Sequence, residues 1–375
     1  NAQPLVQHGR ARTVALGHNG NLTNTAELRN ELSKESVRLT SSSDTEVIAA
    51  LIARDERPLE EAVAATMARI EGAFSAVLLA DGKLVGFRDP DGIRPLVLGQ
   101  LEGDFILASE TCALDLIGAE PIRELAPGEL VVADDDGWRV HQAVPPKTGG
   151  ALCIFEFIYF ARPDSQLRGV ELHGARVRMG ERLAAEAPVE ADLVMPIPDS
   201  GTPAAIGFSR ASGIPFSEGL IKNRYVGRTF IQPDQALRDH GIRSKFNPLA
   251  EVAGKRVVVV DDSIVRGSTT RQIVAMLFEA GAEEVHIRVS SPPVVSPCFY
   301  GIDMASKDEL VAARRSVEEV REHLGATSLA YLSLEGLQES TRRPESTFCR
   351  ACLTREYPTA VPVEAAKLRF ETTPL

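Results

Sequence analysis

Apolar and polar positions follow two different patterns along the chain, and the change falls near residue 143. Before it, short apolar runs divided by turns predict antiparallel strands, and apolar residues at helical spacing predict intervening helices. The helices are expected at residues 24–34, with Asn24 as the cap, and at 44–54 and 59–70. The strands are expected at residues 12–16, 73–79, 83–87, 105–108 and 129–133.

The second pattern begins after residues 141–150, HQAVPPKTGG, where two prolines and two glycines predict a linker. Strands expected at 193–197, 256–260 and 284–289 then alternate with helices expected at 172–187, 203–211 and 271–280. This alternation predicts a parallel, doubly wound α/β sheet. The sequence therefore predicts an α+β domain at 1–143, an α/β domain at 144–355 and a surface tail at 356–375.

Composition limits the kinds of partner. The net charge of −11 argues against a general nucleic-acid binder, which needs a basic surface to neutralise phosphates. Apolar runs fall short of the ~18 residues of a membrane span, and the amino terminus lacks the features of a secretory signal. We expect a cytoplasmic chain without a membrane partner, and one that opens at Asn1 as a cut fragment would.

The most informative segment is VVVVDDSIVRGSTT at residues 257–270. A buried strand ends in Asp261 and Asp262, at the edge where open α/β sheets bind ligands. The loop that follows contains Gly267 and several hydroxyls and leads into a helix, so its backbone N–H groups suit an anion. Taken alone, the pattern also fits a plain strand–turn–helix connection with Asp as the cap, or the acidic pair of a response-regulator receiver.

The same segment closely resembles the phosphoribosylpyrophosphate signature of type I phosphoribosyltransferases. The resemblance implies that Asp261 and Asp262 hold the ribose hydroxyls and help to place Mg²⁺. It also implies that the loop takes the 5-phosphate through Ser263, Arg266, Gly267, Ser268, Thr269 and Thr270.

Two further loops indicate which family of phosphoribosyltransferases the chain resembles. Residues 196–202, PIPDSGT, resemble the pyrophosphate loop through Asp199, Ser200 and Gly201, with Ser200 also implied at the Mg²⁺. Residues 222–233, KNRYVGRTFIQP, resemble the flexible loop that closes over the substrate in glutamine phosphoribosylpyrophosphate amidotransferases. The residues implied there are Lys222, Arg224, Tyr225 and Arg228. As bare residues, such cations also fit an ordinary solvated loop.

Other segments resemble the same amidotransferase family over nearly the whole chain, among them IFEFIYFARPDS at 154–165 and SSPPVVSPCFYGID at 290–303. GHNGNL at 17–22 resembles the oxyanion-hole loop of its N-terminal-nucleophile glutaminase domain, which implies this role for Asn19 and Gly20. SSDTE resembles the segment that binds the amino group of glutamine, here through Asp44. Alone, HNGN also fits a hairpin turn and SSDTE a helix cap.

The resemblance fails at the amino terminus. Glutaminases of this type use a first-residue cysteine whose own α-amino group is the base, and residue 1 here is Asn. The family's arginine segment for the glutamine carboxylate is also absent. We expect a truncated αββα glutaminase domain followed by an α/β phosphoribosyltransferase domain, with activity that depends on ammonia at best.

Four cysteines accompany these segments: Cys153, Cys298, Cys349 and Cys352. The spacing of CRAC at 349–352 leaves zinc, an iron–sulfur cluster and no metal open. All four match a subgroup of the family that carries a 4Fe–4S cluster, so the resemblance implies this cofactor beside Mg²⁺.

The resemblance predicts the first committed step of purine synthesis. Ammonia from glutamine attacks phosphoribosylpyrophosphate, and phosphoribosylamine and pyrophosphate form. It also implies purine nucleotide inhibitors and a homotetramer or dimer. Two other hypotheses stay open: a sensor with a phosphoribosyltransferase fold, for which we find no DNA-binding pattern, and a salvage enzyme that joins a base to the sugar.

Overall fold

The computed structural model describes residues 2–147, 150–223, 225, 243–304 and 306–361. The first half of the chain contains a six-stranded antiparallel sheet in the order β1-β2-β3-β4-β8-β9. Its strands, numbered along the chain together with those of the small sheet, are β1 Leu5–His8, β2 Thr13–Leu22, β3 Gly72–Ala80, β4 Lys83–Arg88, β8 Glu129–Asp134 and β9 Gly137–Gln142.

A second, three-stranded sheet covers one face of the first. It consists of β5 Val97–Leu101, β6 Asp104–Ala108 and β7 Glu120–Glu124. Apolar residues of both sheets meet in one cluster, which includes Leu98, Val131 and Val77. On the outer face of the small sheet lies α4 Thr111–Asp115, whose Leu114 packs against it.

Three helices cover the other face of the large sheet: α1 Thr25–Lys34, α2 Asp44–Arg54 and α3 Leu59–Met67. Their apolar side chains share a core with Leu16, Phe74 and Phe87 of the strands. The layers are therefore helix, sheet, sheet, helix, and the expected αββα arrangement is confirmed.

Two local expectations in this half are corrected. Strand β2 continues through Leu22 instead of ending at residue 16, because its polar second half pairs along β3 from Val77 to Gly72. Asn24 does precede α1, but its side chain does not cap the helix. The side-chain amide of Asn24 instead donates to the Arg69 carbonyl and accepts from the Glu71 N–H.

The second half contains a four-stranded parallel sheet in the order β13-β16-β17-β18, as the sequence pattern predicts. Its strands are β13 Leu193–Pro196, β16 Arg256–Asp261, β17 Glu284–Val289 and β18 Ser328–Tyr331. Helices α5 Leu172–Glu186, α6 Thr202–Ser212 and α9 Leu334–Thr341 contribute to the core on one face. Helices α7 Ser268–Glu279 and α8 Val317–Leu324 contribute to the core on the other face.

Alternation along β16 explains why helices cover both faces. Val258 and Val260 belong to one core, and Val257 and Val259 belong to the other. A strand that is buried on both faces needs apolar residues at every position, which is what the valine run provides. Its end therefore presents Asp261 and Asp262 at the carboxyl edge of the sheet.

Short elements complete the second half. They are β10 Leu152–Cys153 paired with β19 Phe348–Cys349, β11 Gln166–Leu167 paired with β12 Val170–Glu171, β14 Leu220–Lys222 paired with β15 Phe246–Pro248, a π-helical turn Glu156–Phe160, α10 Ala351–Thr354, and 3₁₀ turns Ala250–Val252, Lys307–Glu309 and Glu345–Thr347. Within the described ranges, no helix combines the length and the apolar character that crossing a membrane requires.

Candidate active sites

The two carboxylates after β16 lie side by side in buried positions. The Asp262 N–H donates to Asp261 Oδ1 at 2.9 Å, and the Ser263 hydroxyl donates to Asp262 Oδ1 at 2.6 Å. Burial, followed by the neighbouring Asp262 charge, raises the pKa of Asp261 well above its usual value. Burial also raises the pKa of Asp262, although hydrogen bonds from Ser200 and Ser263 oppose this. Two adjacent buried acids favour a cation or hydroxyl ligands.

The loop after these acids leads into α7 through Gly267, which has a φ of 78° in the left-handed region. No side chain caps the first turn, so the N–H groups of this turn face the loop, as in an anion site at a helix start. Thr270 is buried, and its side chain hydrogen-bonds Asp261. The Arg266 guanidinium donates to Glu309 at 2.9 Å, which ties the loop to the turn Lys307–Glu309. Ser268 and Thr269 form the start of the helix.

The expected pyrophosphate loop lies beside the same strand end. A Cβ on Gly201 would come within 2.5 Å of the Val260 carbonyl oxygen, so the loop packs directly on β16. This contact brings the Ser200 side chain within hydrogen-bonding reach of Asp262. Asp199 pairs with Lys222, which belongs to the expected flexible loop. The two predicted loops therefore meet next to the two acids.

The rest of the flexible loop can be placed only in part. Tyr225 is fully exposed, and its N–H donates to Asn223 Oδ1 at 3.0 Å. Arg224 and Arg228 lie outside the described residues.

In the first half, Asn19 and Gly20 lie within β2 and next to the second half of the chain. The Asn19 side-chain oxygen accepts a hydrogen bond from Arg94 Nε at 3.2 Å. The backbone of Gly20 approaches Gly301 so closely that a Cβ on Gly301 would be 2.6 Å from the Gly20 oxygen. The neighbouring Asn21 amide donates to the Phe299 carbonyl at 3.0 Å. The predicted oxyanion pair thus lies at the junction between the two halves.

Asp44 starts α2 and accepts a hydrogen bond from the Leu22 N–H at 3.0 Å. The His18 ring nitrogen Nδ1 lies 3.8 Å from the carboxylate. Burial alone would raise the pKa of Asp44, but the His18 and Leu22 hydrogen bonds outweigh it, so this pKa lies below its usual value. The helix cap is Ser43, whose hydroxyl accepts from the Thr45 N–H. Asp44 is therefore free of the capping role and stays ionised.

A cavity of about 240 Å³ opens beside Asn19. It is lined by Gln3, Gly17, His18, Asn19, Ser75, Val77, Leu96, Leu107, Ala108 and Ser109. The Gln3 amide reaches in and both donates to and accepts from the backbone of His18. The cavity holds several polar groups in a small space, as a site for a small polar substrate does.

Sequence reasoning missed four polar residues around these sites. His18 stands inside GHNGNL, where roles were predicted only for Asn19 and Gly20, and Arg94 lies in a segment for which we predicted no role. Glu156 pairs with Arg94 at 3.2 Å, and both are buried. Arg176 donates to the carbonyls of Glu156, Phe157 and Ala161, and its charge acts on Asp262. The available signal was a charged residue within an apolar run, as at Glu156 in IFEFIYF.

The four predicted cysteines meet in one place. Cys153 and Cys349 are paired residues of β10 and β19, and Cys352 follows in α10. These three are buried in one apolar core, and Cys298 packs against it. Burial raises the pKa of the Cys349 thiol to about 12 and those of Cys153 and Cys352 well above the usual value. Among the described residues, no three His, Cys, Asp or Glu side chains are arranged to share a metal ion.

Comparisons with known proteins match the two halves of the chain to two domain families. Residues 1–116 match the glutamine amidotransferase domain family, and residues 173–291 match the phosphoribosyl transferase domain family. An amidophosphoribosyltransferase of Synechococcus elongatus is 52% identical over 99% of this chain and 77% of its own length. One of Archaeoglobus fulgidus is 48% identical over 97% of this chain and 81% of its own.

A solved structure gives the same result. The glutamine phosphoribosylpyrophosphate amidotransferase from B. subtilis, complexed with ADP and GMP, superposes with a TM-score of 0.90 at 45% identity. The match covers 97% of this chain and 81% of that one. Because both domains and nearly the whole chain match, this chain belongs to the amidophosphoribosyltransferases, the pentosyltransferases of purine biosynthesis.

Proposed function

We propose that the two halves, assigned to residues 1–143 and 144–355, divide the family reaction between them. Glutamine, water and phosphoribosylpyrophosphate yield glutamate, 5-phosphoribosylamine and pyrophosphate. The single observation that supports the transferase assignment of the second half is the buried Asp261–Asp262 pair. It lies at the end of a parallel strand, and a short loop joins it to an uncapped helix start. Such an edge combines groups for sugar hydroxyls with groups for a phosphate.

The phosphoribosylpyrophosphate site is assigned to three segments. Asp261 and Asp262 would accept hydrogen bonds from the ribose hydroxyls. The start of α7, with Ser263, Gly267 and Thr270, would bind the 5-phosphate. Ser200, Gly201 and Lys222 lie on the loops beside the acids, where they suit a leaving pyrophosphate. Catalysis would then come mainly from positioning and from stabilisation of the leaving charge.

Mg²⁺ suits the same acids. This ion prefers hard oxygen donors. The pKa values of Asp261 and Asp262 are raised because burial disfavours their charged forms, and a bound cation would stabilise those charged forms. Asp261, Asp262 and Ser200 are the groups that would hold it. Bound there, the ion would neutralise charge on the pyrophosphate.

In the first half, Asp44 is assigned to the amino group of glutamine, since its carboxylate stays ionised next to His18, which lines the cavity. The Asn19 amide and the Gly20 N–H are assigned to the oxyanion that develops on the glutamine carbonyl. Their place at the junction of the two halves supports the delivery of ammonia to the sugar without release into solvent.

The cysteine cluster is proposed as a 4Fe–4S site. Its fit rests on four thiols that converge in one apolar core and act on one another electrostatically. Within the described part of the chain, these side chains are not arranged around a shared metal, so cluster binding would require them to reorient. A cluster there would fix the segment after Phe348 against β10, as a structural group. Iron and sulfide analysis of protein purified without oxygen tests this: about four of each per chain is expected.

Purine nucleotides are proposed as further ligands, because the similar B. subtilis protein was solved with ADP and GMP. A homo-oligomer is proposed on the same family grounds. Titration of activity with GMP and ADP, together with sedimentation of the purified protein, tests both.

The transferase assignment is tested by comparing acceptors. Pyrophosphate release from phosphoribosylpyrophosphate is measured with Mg²⁺ and either ammonium or a purine base such as adenine, guanine or hypoxanthine. Release with ammonium alone is the expected result. Release with a base alone would instead identify a salvage enzyme and overturn the proposal.

A further inference from the structure

Arg94 joins the predicted oxyanion hole to the phosphoribosyltransferase half. Its Nε donates to Asn19 Oδ1 at 3.2 Å, and its Nη1 lies 3.2 Å from Glu156 Oε1. Asn19 belongs to β2 of the first half, and Glu156 starts the π-helical turn of the second half. One guanidinium thus contacts a side chain from each half.

The contact with Asn19 has a direction. A guanidinium carries only donors, whereas a carboxamide has an oxygen acceptor at one end and an N–H₂ donor at the other. Arg94 therefore selects the orientation in which the Asn19 oxygen faces Arg94 and the Nδ2 donor faces away from it. Asn19 lines the cavity, and an oxyanion there needs a donor. The opposite orientation would present an oxygen to the developing negative charge.

Arg94 is itself fixed from both sides. Its own carbonyl accepts hydrogen bonds from Ser75 and Arg88, which hold the backbone. Its side chain is 10% exposed and that of Glu156 is 4% exposed, so water scarcely screens their attraction. Arg94 Nη1 and Glu156 Oε1 are close but not aligned as a hydrogen bond, so the attraction between opposite charges holds the pair.

The turn that carries Glu156 is supported by the second half. Arg176 of α5 donates to the carbonyls of Glu156, Phe157 and Ala161, which fixes the turn that carries Glu156. These contacts use the backbone of the turn and leave the Glu156 carboxylate for Arg94. Arg94 also hydrogen-bonds the side chain of Cys153, a second residue of the transferase half.

We propose that Arg94 is a positioning residue, which orients the Asn19 carboxamide for the glutaminase step, and that Glu156 of the other half holds Arg94 in place. The inference rests on the proposed oxyanion role of Asn19. A purely structural role for the pair is the competing account. That account predicts equal losses of glutamine-supported and ammonium-supported turnover.

The test compares both activities for R94K, E156Q, the charge-balanced double variant R94Q/E156Q, and N19A. Because glutamine-supported turnover requires the nucleophile, all are made in a form of the enzyme that carries the family's amino-terminal segment, with its first-residue cysteine, ahead of Asn1. R94K is expected to lower kcat with glutamine about tenfold or more with little change in KM, because the donor serves the transition state. Ammonium-supported turnover is expected to stay. E60Q, which removes partly exposed ion pairs with Lys83 and Arg139 elsewhere in the first half, is the matched control.

The double variant guards against misfolding, because it removes both buried charges together. If it melts at the same temperature as the parent but still lacks glutamine-supported turnover, the loss results from misplacement of the Asn19 side chain and not from lower stability. If R94K and the double variant keep full glutamine turnover while N19A loses it, this inference fails and the oxyanion assignment stands. If N19A keeps full glutamine turnover, the oxyanion assignment itself is wrong.

A second readout needs no turnover. In protein labelled with ¹⁵N-asparagine, the Asn19 amide signals are identified by their loss in N19A. Rotation about the amide C–N bond is slow, so the two amide protons give separate signals in both proteins. These protons are expected to exchange with solvent slowly in the parent and faster in R94K. Identical signals in both proteins would overturn the proposal.

Discussion

At the scale of single residues, Asp261 and Asp262 are adjacent in the chain but have different surroundings. Asp261 interacts with its neighbour's N–H and with Thr270, whereas Asp262 interacts with Ser200, Ser263 and the charge of Arg176. Asp262 is thus the acid that connects β16 to the proposed pyrophosphate loop. We expect its loss to misplace substrate more than to unfold the sheet.

Replacement of Asp262 by Asn tests this connection. D262N keeps the shape of the side chain but loses its charge, so ammonium-supported kcat/KM for phosphoribosylpyrophosphate is expected to fall by about 100-fold. D192N is the matched control, because Asp192 pairs with Arg256 at the opposite end of the same sheet. A similar loss in both variants, in steady-state assays, would refute a specific role for Asp262.

Asp44 leads to a prediction about pH. Its folded-state pKa lies below the usual 3.8, so the stability that it contributes is present above that pH and is lost as pH falls through the lower folded value. The difference in unfolding free energy between the parent and D44N should therefore be constant above about pH 5 and shrink below 3.8. Denaturant titrations at several pH values measure it, and a difference that grows on acidification contradicts the account.

At the scale of elements, the connection from β16 to α7 depends on Gly267. Its φ of 78° lies where side chains other than glycine are strained, and it immediately precedes the helix start that would bind phosphate. The space around it is ordinary, because a Cβ would be 3.5 Å from the nearest side-chain atoms of Leu324 and Val311. Backbone strain is therefore the main consequence of a substitution.

G267A and G213A form a matched pair. Gly213 ends α6 with a φ of 75° and has open space around it, so G213A introduces the same strain away from the site. Both are expected to lose about 1–2 kcal/mol of unfolding free energy in denaturant titrations. Only G267A is expected to raise KM for phosphoribosylpyrophosphate, since the strain moves the anion-binding turn. Equal KM values in the two variants would argue against phosphate binding there.

Elements with strong local patterns were predictable from the sequence. The hairpin of β3 and β4 turns at Asp81 and Gly82, both with positive φ, as the Asp-Gly signal predicts. Strand β17 has the predicted bounds, and the valine run of β16 is a strand buried on both faces. The second half of β2 was missed, because its polar residues have no apolar alternation and depend on pairing with β3. Short strands such as β10 depend equally on partners far away in the chain.

At the scale of the whole molecule, the two halves meet through the segment that contains Cys298. The Phe299 carbonyl accepts from Asn21, and Gly301 lies against the backbone of Gly20. Arg94 and Glu156 add a buried ion pair across the same junction. The proposed glutaminase site is thus bordered by residues of the transferase half.

The contact at Gly301 leads to a further prediction. Gly301 and Gly103 have nearly equal φ values of 99° and 101°, but only a Cβ at 301 would meet the Gly20 oxygen. G301A should therefore lose about 1–3 kcal/mol more unfolding free energy than G103A, and hydrogen exchange of residues 17–22 should be faster. Equal stability of the two variants would show that the halves do not touch there in solution.

Contacts at the junction could not be predicted from the sequence. The expected anion loop and the acids lie within one continuous segment, so a local pattern was sufficient to predict that they lie together. Arg94 and Asn19 are 75 positions apart, and their hydrogen bond exists only because both sheets and the junction are in place. Charged residues in apolar runs indicated that partners existed, but not which ones.

The reaction proposed for the Asp261–Asp262 edge is transfer of the phosphoribosyl group to ammonia. The most direct test supplies phosphoribosylpyrophosphate, Mg²⁺ and ¹⁵N-ammonium to the purified, folded chain and follows both the labelled phosphoribosylamine and the pyrophosphate. We predict equal amounts of the two products, with both lost in D262N. Pyrophosphate without labelled amine, or equal turnover in the parent and D262N, would contradict the account.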